Sequence, residues 1–364
     1  MRILHIHHGI GIGGVETYLC RLAAGQTRAG HEVGVLASGG VYESRLAEAG
    51  ARFFPVATKK ENLARAVELA RPFRPDLVHA HNYRAARFGR RLAARLGARY
   101  LMSVHGPRPW YKRALFRDWS PLVIAMSEAD RDNVSAFPGV ARRRVRLSFY
   151  GIDCDRFRPG LDTAPLRSEL ALPDDALPIV HVSRFAHDKA RPADGLLDAL
   201  ERIVAGAPRA VLLLVGEGPE LERLRQRAEA VNRRAGRPVA RVVGPRQDVE
   251  RFLNLATVAV ATANTALEAI ACGAPLIAAG RTGYLGRVAP EGLEAARAVC
   301  FADHGRLPRA VAAARFLEEI PPILADPDAR HPACQALREA VARSYDVAAM
   351  VTSLDRIYAE VVKG

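Results

Sequence analysis

Aromatic residues make up 6% of the 364 positions, and only two of them are tryptophan. With so few stacking side chains and no recognition module in view, nucleic-acid binding ranks last among the explanations of this basic chain. Cysteine is scarce as well. Cys20, Cys154, Cys272, Cys300 and Cys334 are odd in number and scattered, with no C-x-x-C. Neither a disulfide framework nor a zinc site is indicated, and a cytoplasmic, reducing location is expected. No charged-then-apolar leader opens the chain, and no apolar run approaches the roughly 20 residues that span a bilayer, so neither export nor insertion is expected. A repeat at a solenoid period and a low-complexity segment are both missing. So is the GxGxxG fingerprint, and no acidic residue closes the second apolar run, which argues against a nicotinamide or flavin enzyme.

What is present is a long alternation of short apolar runs with helical stretches. The first series has runs at 1–8, 31–37, 52–56, 76–80, 100–104, 122–126 and 145–149. Runs this short and apolar, with helices between them, suit parallel strands covered on both faces. Gly151 to Pro159 reads as a linker. A second series follows, with strands expected near 179–182, 211–215, 239–243, 258–261, 276–279 and 298–301. The length exceeds what one core fills, and the expectation is α/β: two tandem doubly wound, Rossmann-like domains at 1–160 and 161–345. The last helix, 346–364, carries Val347, Met350, Val351, Leu354, Ile357, Tyr358 and Val361 at helical spacing, for which packing is the default explanation.

The net charge of +14 is unevenly placed. Residues 1 to 165 hold 27 Lys and Arg against 14 Asp and Glu, leaving 26 against 25 for the remainder. The first half therefore faces something anionic, or carries an arginine-rich solvated surface.

Candidate chemistry clusters where apolar runs end. In an open parallel sheet, ligands bind at the carboxyl ends of the strands, and His79, His81 and Asn82, His105 and Gly106, and Ser127 all fall there. The glycines 9, 11, 13 and 14 after the first strand let a phosphate or sugar approach the backbone. In the second half a helix expected from about Thr265 follows the run 257–261, and its first amides make a phosphate site. Thr265 and Glu268 equally fit an S/T-x-x-E capping box that needs no ligand. Arg184 and Lys189 follow the first strand of the second series at a spacing that suits a diphosphate clamp or two surface charges. Asp153 and Asp155 resemble a metal-binding DxD, but lie in the linker and are read as a decoy.

Seven segments in order then look like one family: Gly13-Gly14-Val15-Glu16 after strand one, DLVHAHN, SVHG, GID-x-x-x-F-x-P, HVSRFAHDK, LLLVGEGPELERL and LEAIACGAPLIA. Together they resemble the GT-B glycosyltransferases of family four. The resemblance implies two Rossmann-like domains with a cleft between them and a last helix returning towards the first domain. It also implies transfer of a sugar from a nucleotide diphosphate donor, with retention and without a metal or other cofactor. Arg184 and Lys189 would hold the diphosphate, the amides from Thr265 through Ala266 to Leu267 the phosphate, and Glu268 the ribose, with Asn264 beside them. Gly244, Pro245 and Arg246 would cradle the base. Gly13 and Gly14 would approach the donor from the first domain, and His105 would meet the transferred sugar. Two positions depart from the family pattern: Val260 stands where an earlier Glu is usual, and Tyr150 where an Asn precedes the GID linker.

By the same resemblance the first domain takes the acceptor, a glycan or a lipid-linked molecule. Glu16 and His81 are placed there. The stretch 106–119 mixes Arg108, Lys112, Arg113 and Arg117 with Trp110, Leu115, Phe116 and Trp119, a composition that fits an anionic membrane surface at the inner face of the plasma membrane. Arg84, Arg87, Arg91 and Arg95 fall on one helical face and join that surface or form a solvated stripe. The competing reading is a catalytically silent relative that binds a nucleotide sugar or a glycan; an epimerase on the same fold has no support beyond the fold.

Overall fold

The computed structural model describes residues 1–11, 13–106, 116–137, 139–305, 307, 310–327 and 331–363. The chain separates into two compact units, Met1–Gly151 with Ser344–Gly364, and Ile152–Arg343. Residues 152–160 thus pack with the second unit, and the last helix belongs to the first.

The first unit is built on seven strands: β1 Arg2–Gly9, β2 Glu32–Ser38, β3 Arg52–Pro55, β4 Leu77–His81, β5 Arg99–Val104, β6 Val123–Ala125 and β7 Val145–Leu147. They run parallel in the order β3-β2-β1-β4-β5-β6-β7. The order reverses between β1 and β4, the switch point at which such sheets bind ligands. Alternation along these strands decides what each face carries. Leu4, Ile6, Val78 and Ala80 join one apolar cluster. His5, in register with His79, and His81 point to the opposite face, where Gln26 of the helix Gly14–Arg28 and Tyr358 of the helix Val347–Lys363 reach them. The seven apolar residues of that last helix are all buried, so its amphipathic spacing is spent on packing.

The second unit carries β8 Leu177–Val182, β9 Ala210–Val215, β10 Ala240–Gly244, β11 Val258–Ala261, β12 Leu276–Gly280 and β13 Gly283–Arg287, ordered β10-β9-β8-β11-β12-β13. The first five are parallel and β13 is antiparallel to β12. Leu212 and Leu214 face one core cluster, and Val211, Leu213 and Val215 the other. The strand expected at 298–301 does not form. The helix Leu293–Ala298 ends there, and Cys300, Phe301 and Ala302 make a left-handed turn with φ of 49°, 50° and 71°. All three are buried, and a short apolar run records burial without recording which backbone delivers it. The sixth strand is instead the glycine-containing GYLGR edge.

Candidate functional site

At the switch point of the second unit, two elements meet at the ends of adjacent strands. The loop after β8 carries Arg184 and Lys189, and the helix Ala263–Ala271 follows β11, the neighbour of β8. The Arg184 loop is held by β9. Phe185 N–H donates to Glu217 O at 2.7 Å, and Glu220 N–H donates to Phe185 O at 3.0 Å. Gly216 and Gly218 have φ of 142° and 143°, and a Cβ on either would run into the backbone of Ser183 or Phe185. Only glycine lets the two loops lie this close.

The helix begins earlier than its sequence suggests. Thr262 is the N-cap, and its hydroxyl donates to Phe301 O at 2.6 Å instead of capping. Thr265 is therefore inside the first turn and the capping box with Glu268 is not formed. Ala263 N–H donates to Cys300 O and Ala266 N–H to Thr262 O. The helix start therefore falls at Asn264 and Thr265, ahead of Ala266 and Leu267, and the Ala266 amide is already engaged by Thr262 O. Ala263 holds φ at 51°, a strained value for a residue with a Cβ that bends the chain into the helix. Glu268 is buried in the second turn.

Asp303, which carries no motif of its own, ties the two elements together. Lys189 Nζ lies 3.3 Å from its Oδ1, Arg281 Nε lies 3.3 Å from the same oxygen, and Arg281 Nε donates to Asp303 O at 2.9 Å. Burial works to raise the Asp303 pKa, but the charges of Lys189, His304 and Arg281 outweigh it and hold the carboxyl below the usual value. Asp303 sits in the left-handed turn whose carbonyls receive Thr262 and Ala263, so Lys189 and the helix start share one support. Arg184 is exposed and makes no ion pair among the described residues. Gly244, with φ 93°, ends β10 and Pro245 is exposed beyond it. Arg246 is already engaged: Nε donates to Asp248 Oδ1 at 2.8 Å, Glu169 pairs with its other side, and the guanidinium lies over Phe252. Val260 is fully buried in β11, and its carbonyl receives His181 Nδ1–H at 2.7 Å.

In the first unit, Gly13 and Gly14 open the helix after β1, and the Glu16 carboxylate folds back over Gly13. His7 Nδ1–H donates to Gly9 O at 2.7 Å and fixes the loop. His81 ends β4 at the N-cap position of the helix Asn82–Leu96 without a side-chain capping bond; Asn82 Oδ1 accepts from Arg84 N–H and Ala85 N–H instead. His105, after β5, lies 2.9 Å from Ser103 Oγ and 3.3 Å from His81 Nδ1 through its Nε2. The rings of Tyr18 and Tyr150 stand 5.1 and 5.9 Å from it, so the departure at Tyr150 places an aromatic wall beside His105. Gly106 N–H donates to the buried Asp130, another anchor not singled out from sequence.

Arg108, Trp110, Lys112, Arg113 and Leu115 lie outside the described residues. Arg117 is exposed, as are Arg84, Arg87, Arg91 and Arg95, with Arg87 paired to Asp118 at 3.1 Å. Phe116 and Trp119 turn inward: their rings meet edge to face at 4.8 Å and pack on Tyr83 and Phe137. They belong to the core and not to a lipid-facing surface. Among the described residues two groups place ligand atoms within 4.8 Å of one another, His5 with His79 and His81, and His7 with His8 and Glu16. Both ring nitrogens of His5 and of His7 are engaged in hydrogen bonds, which a metal would have to displace.

Two doubly wound units in one chain, each with polar groups at its switch point, define the GT-B class. The chain is similar to the Anabaena protein HepE solved in complex with UDP, at a TM-score of 0.78 and 18% identity, covering 99% of this chain and 100% of that one. It is 26% identical over 309 residues to a GDP-mannose-dependent alpha-(1-6)-phosphatidylinositol dimannoside mannosyltransferase of Mycobacterium tuberculosis, covering 76% of this chain and 79% of that protein. It is also 30% identical over 235 residues to a D-inositol 3-phosphate glycosyltransferase of Saccharomonospora viridis, covering 56% of this chain and 54% of that protein. Residues 12–156 match the family described as Glycosyltransferase Family 4, and residues 177–315 match Glycosyl transferases group 1. The chain belongs to this family and is a glycosyltransferase.

Proposed function

We propose that this glycosyltransferase moves a hexose-type sugar from a nucleoside diphosphate sugar to an acceptor hydroxyl, retaining the anomeric configuration. The donor binds at the switch point of the second unit. The observation that carries the reading is the meeting of the Arg184–Lys189 loop with the helix start at Asn264 and Thr265, bridged by Asp303. Cations and amides there stabilise the charge that grows on the departing diphosphate as an oxocarbenium-like sugar forms. Glu268, one turn further, takes the ribose hydroxyls, and the backbone of Gly244 and Pro245 takes the base. The leaving phosphate accepts the acceptor's proton on the same face, which gives retention without a protein nucleophile and without a metal. Within the first unit, Gly14 and His105 are the residues this reading assigns to sugar recognition.

The acceptor in this reading is a lipid-linked or envelope glycan, met at the cytoplasmic face of a membrane. The basic first half supports it, as does a relative named for a phosphatidylinositol dimannoside acceptor.

Thermal shift against nucleoside diphosphates and their sugars, without metal, tests the donor site. One base family should raise the melting temperature, because a ligand that binds only the native state stabilises it, and Lys189→Ala or Glu268→Ala should remove most of the shift. No shift with any of them sinks the site and leaves a silent relative, a reading that the buried Val260 favours by leaving no carboxylate at that position.

A further inference from the structure

Three imidazoles, an amide and a phenol form one continuous hydrogen-bonded line inside the first unit. His5, His79, His81, Gln26 and Tyr358 are all fully buried, and the line ends at His105. Its links are His5 Nε2 to Gln26 Oε1 at 2.7 Å, His5 Nδ1 to His81 Nε2 at 3.0 Å, Ser103 Oγ to His81 Nδ1 at 3.1 Å and His105 Nε2 to Ser103 Oγ at 2.9 Å. On the other side Gln26 Nε2 donates to Tyr358 Oη at 3.2 Å, and Tyr358 Oη lies 2.9 Å from His79 Nδ1.

The protons on this line are not independent. Burial keeps the rings neutral: the His5 pKa falls to about 4, and His79 and His81 are lowered well below 6.5. A neutral imidazole has one donor and one acceptor. The Gln26 oxygen can only accept, so His5 Nε2 carries the proton and His5 Nδ1 accepts. His81 Nε2–H must then donate to His5 Nδ1, and His81 Nδ1 accepts from Ser103. The Ser103 hydroxyl, having donated, accepts from His105 Nε2–H. At the far end Gln26 donates to Tyr358, whose hydroxyl donates to His79 Nδ1. Rotating the Gln26 amide by half a turn reverses every one of these bonds. The 2.7 Å separation lies at the short end of the N–H···O range, and an NMR spectrum distinguishes the first arrangement from its reverse.

We propose that Gln26 is a positioning residue. Through His5, His81 and Ser103 it sets the proton of His105 on Nε2 and leaves Nδ1, a buried atom, as the acceptor of that ring. That the ring meets the transferred sugar rests on the reading of His105 given under Proposed function; the tautomer does not.

The test is a 15N–1H long-range NMR spectrum of the full chain labelled at histidine, with His105 assigned by loss of its signals in His105→Gln. His5, His79, His81 and His105 are expected to share one tautomer, protonated at Nε2. Gln26→Met removes the acceptor at nearly constant volume, and a second, Nδ1-protonated form of His105 should appear. Turnover at saturating donor should then fall in proportion to the fraction in that second form, with donor KM unchanged. A wild-type His105 protonated at Nδ1, or a mixed set among the four rings, overturns the inference. So does a folded Gln26→Met protein with an unchanged spectrum. A changed spectrum with undiminished turnover supports the tautomer line and removes His105 from the reaction, which separates the two readings.

Discussion

At the scale of single residues, the second unit's donor end is governed by Asp303. Its carboxylate keeps Lys189 and Arg281 in place, and both cations are about one-third exposed. Asp303→Asn leaves Lys189 without its counter-charge at a nearly buried site. The expected cost is about 1–2 kcal/mol of stability, less than for a fully buried pair because solvent screens the cations. Because the folded pKa is depressed, the stabilisation is present above the unfolded carboxyl value and lost as pH falls through the folded one. The difference between wild type and Asp303→Asn in denaturant melts should therefore be full at pH 7 and shrink below pH 3.8; a difference independent of pH would show that the pair is not the cause. The buried histidines act with the opposite charge. His5, His181 and His304 have pKa values lowered to about 4 from 6.5, so the unfolded chain takes up protons first. Stability should be highest above pH 6.5 and fall towards pH 4, by about 1.4 kcal/mol per pH unit for each such ring. Chemical denaturation at pH 7, 6 and 5 measures that slope, and a flat profile would mean the rings are solvated.

At the scale of elements, the contact between the Gly216–Gly218 turn and the Arg184 loop is where geometry is least forgiving. Gly218→Ala must adopt a φ that side chains avoid and press its Cβ on Phe185 O. We expect a loss of about 2 kcal/mol or more and a weaker donor response from the displaced Arg184; urea melts and donor titration of the variant decide it, and an unperturbed protein would show that the loops are not rigidly coupled. This pair of glycines is visible in the sequence only as a turn, since the partner loop comes from another strand. The strands are more legible. Among the described residues twelve of the thirteen coincide with short apolar runs because both faces of each parallel sheet are covered, whereas β13, a glycine-containing edge, has no such run. The run 298–301 misleads for the complementary reason, being apolar and buried in a left-handed turn. Helix Ala263–Ala271 starts two residues before the sequence pattern suggests, because Thr265 followed by Glu268 imitates a capping box while the residue at the N-cap, Thr262, spends its hydroxyl on Phe301. Asp303 is not legible in the sequence, since one acidic residue after a helix carries no local pattern, and the cations it pairs with, Lys189 and Arg281, are more than 20 positions away.

At the scale of the molecule, the excess of positive charge in the first half has to be reconciled with where side chains point. Phe116 and Trp119 are core residues, so apolar insertion by these two is ruled out, and the electrostatic attraction of Arg117, Arg113 and their neighbours is the part of a lipid contact that charge reversal can test. Each basic residue near an anionic leaflet contributes about 1 kcal/mol, and the attraction falls off within a Debye length of about 10 Å at 0.1 M salt. Reversing Arg113 and Arg117 to Glu together should therefore lower partitioning onto phosphatidylserine-containing vesicles by at least about thirtyfold. Reversing Arg91 and Arg95, also exposed and on the helix Asn82–Leu96, provides the comparison. If only the first pair matters, the segment around Arg117 faces the membrane. If both pairs weaken binding equally, the contact is a diffuse effect of net charge, which sedimentation at 0.3 M salt should abolish in every variant. If neither does, the basic half is a solvated surface, and the acceptor has to be sought among soluble molecules.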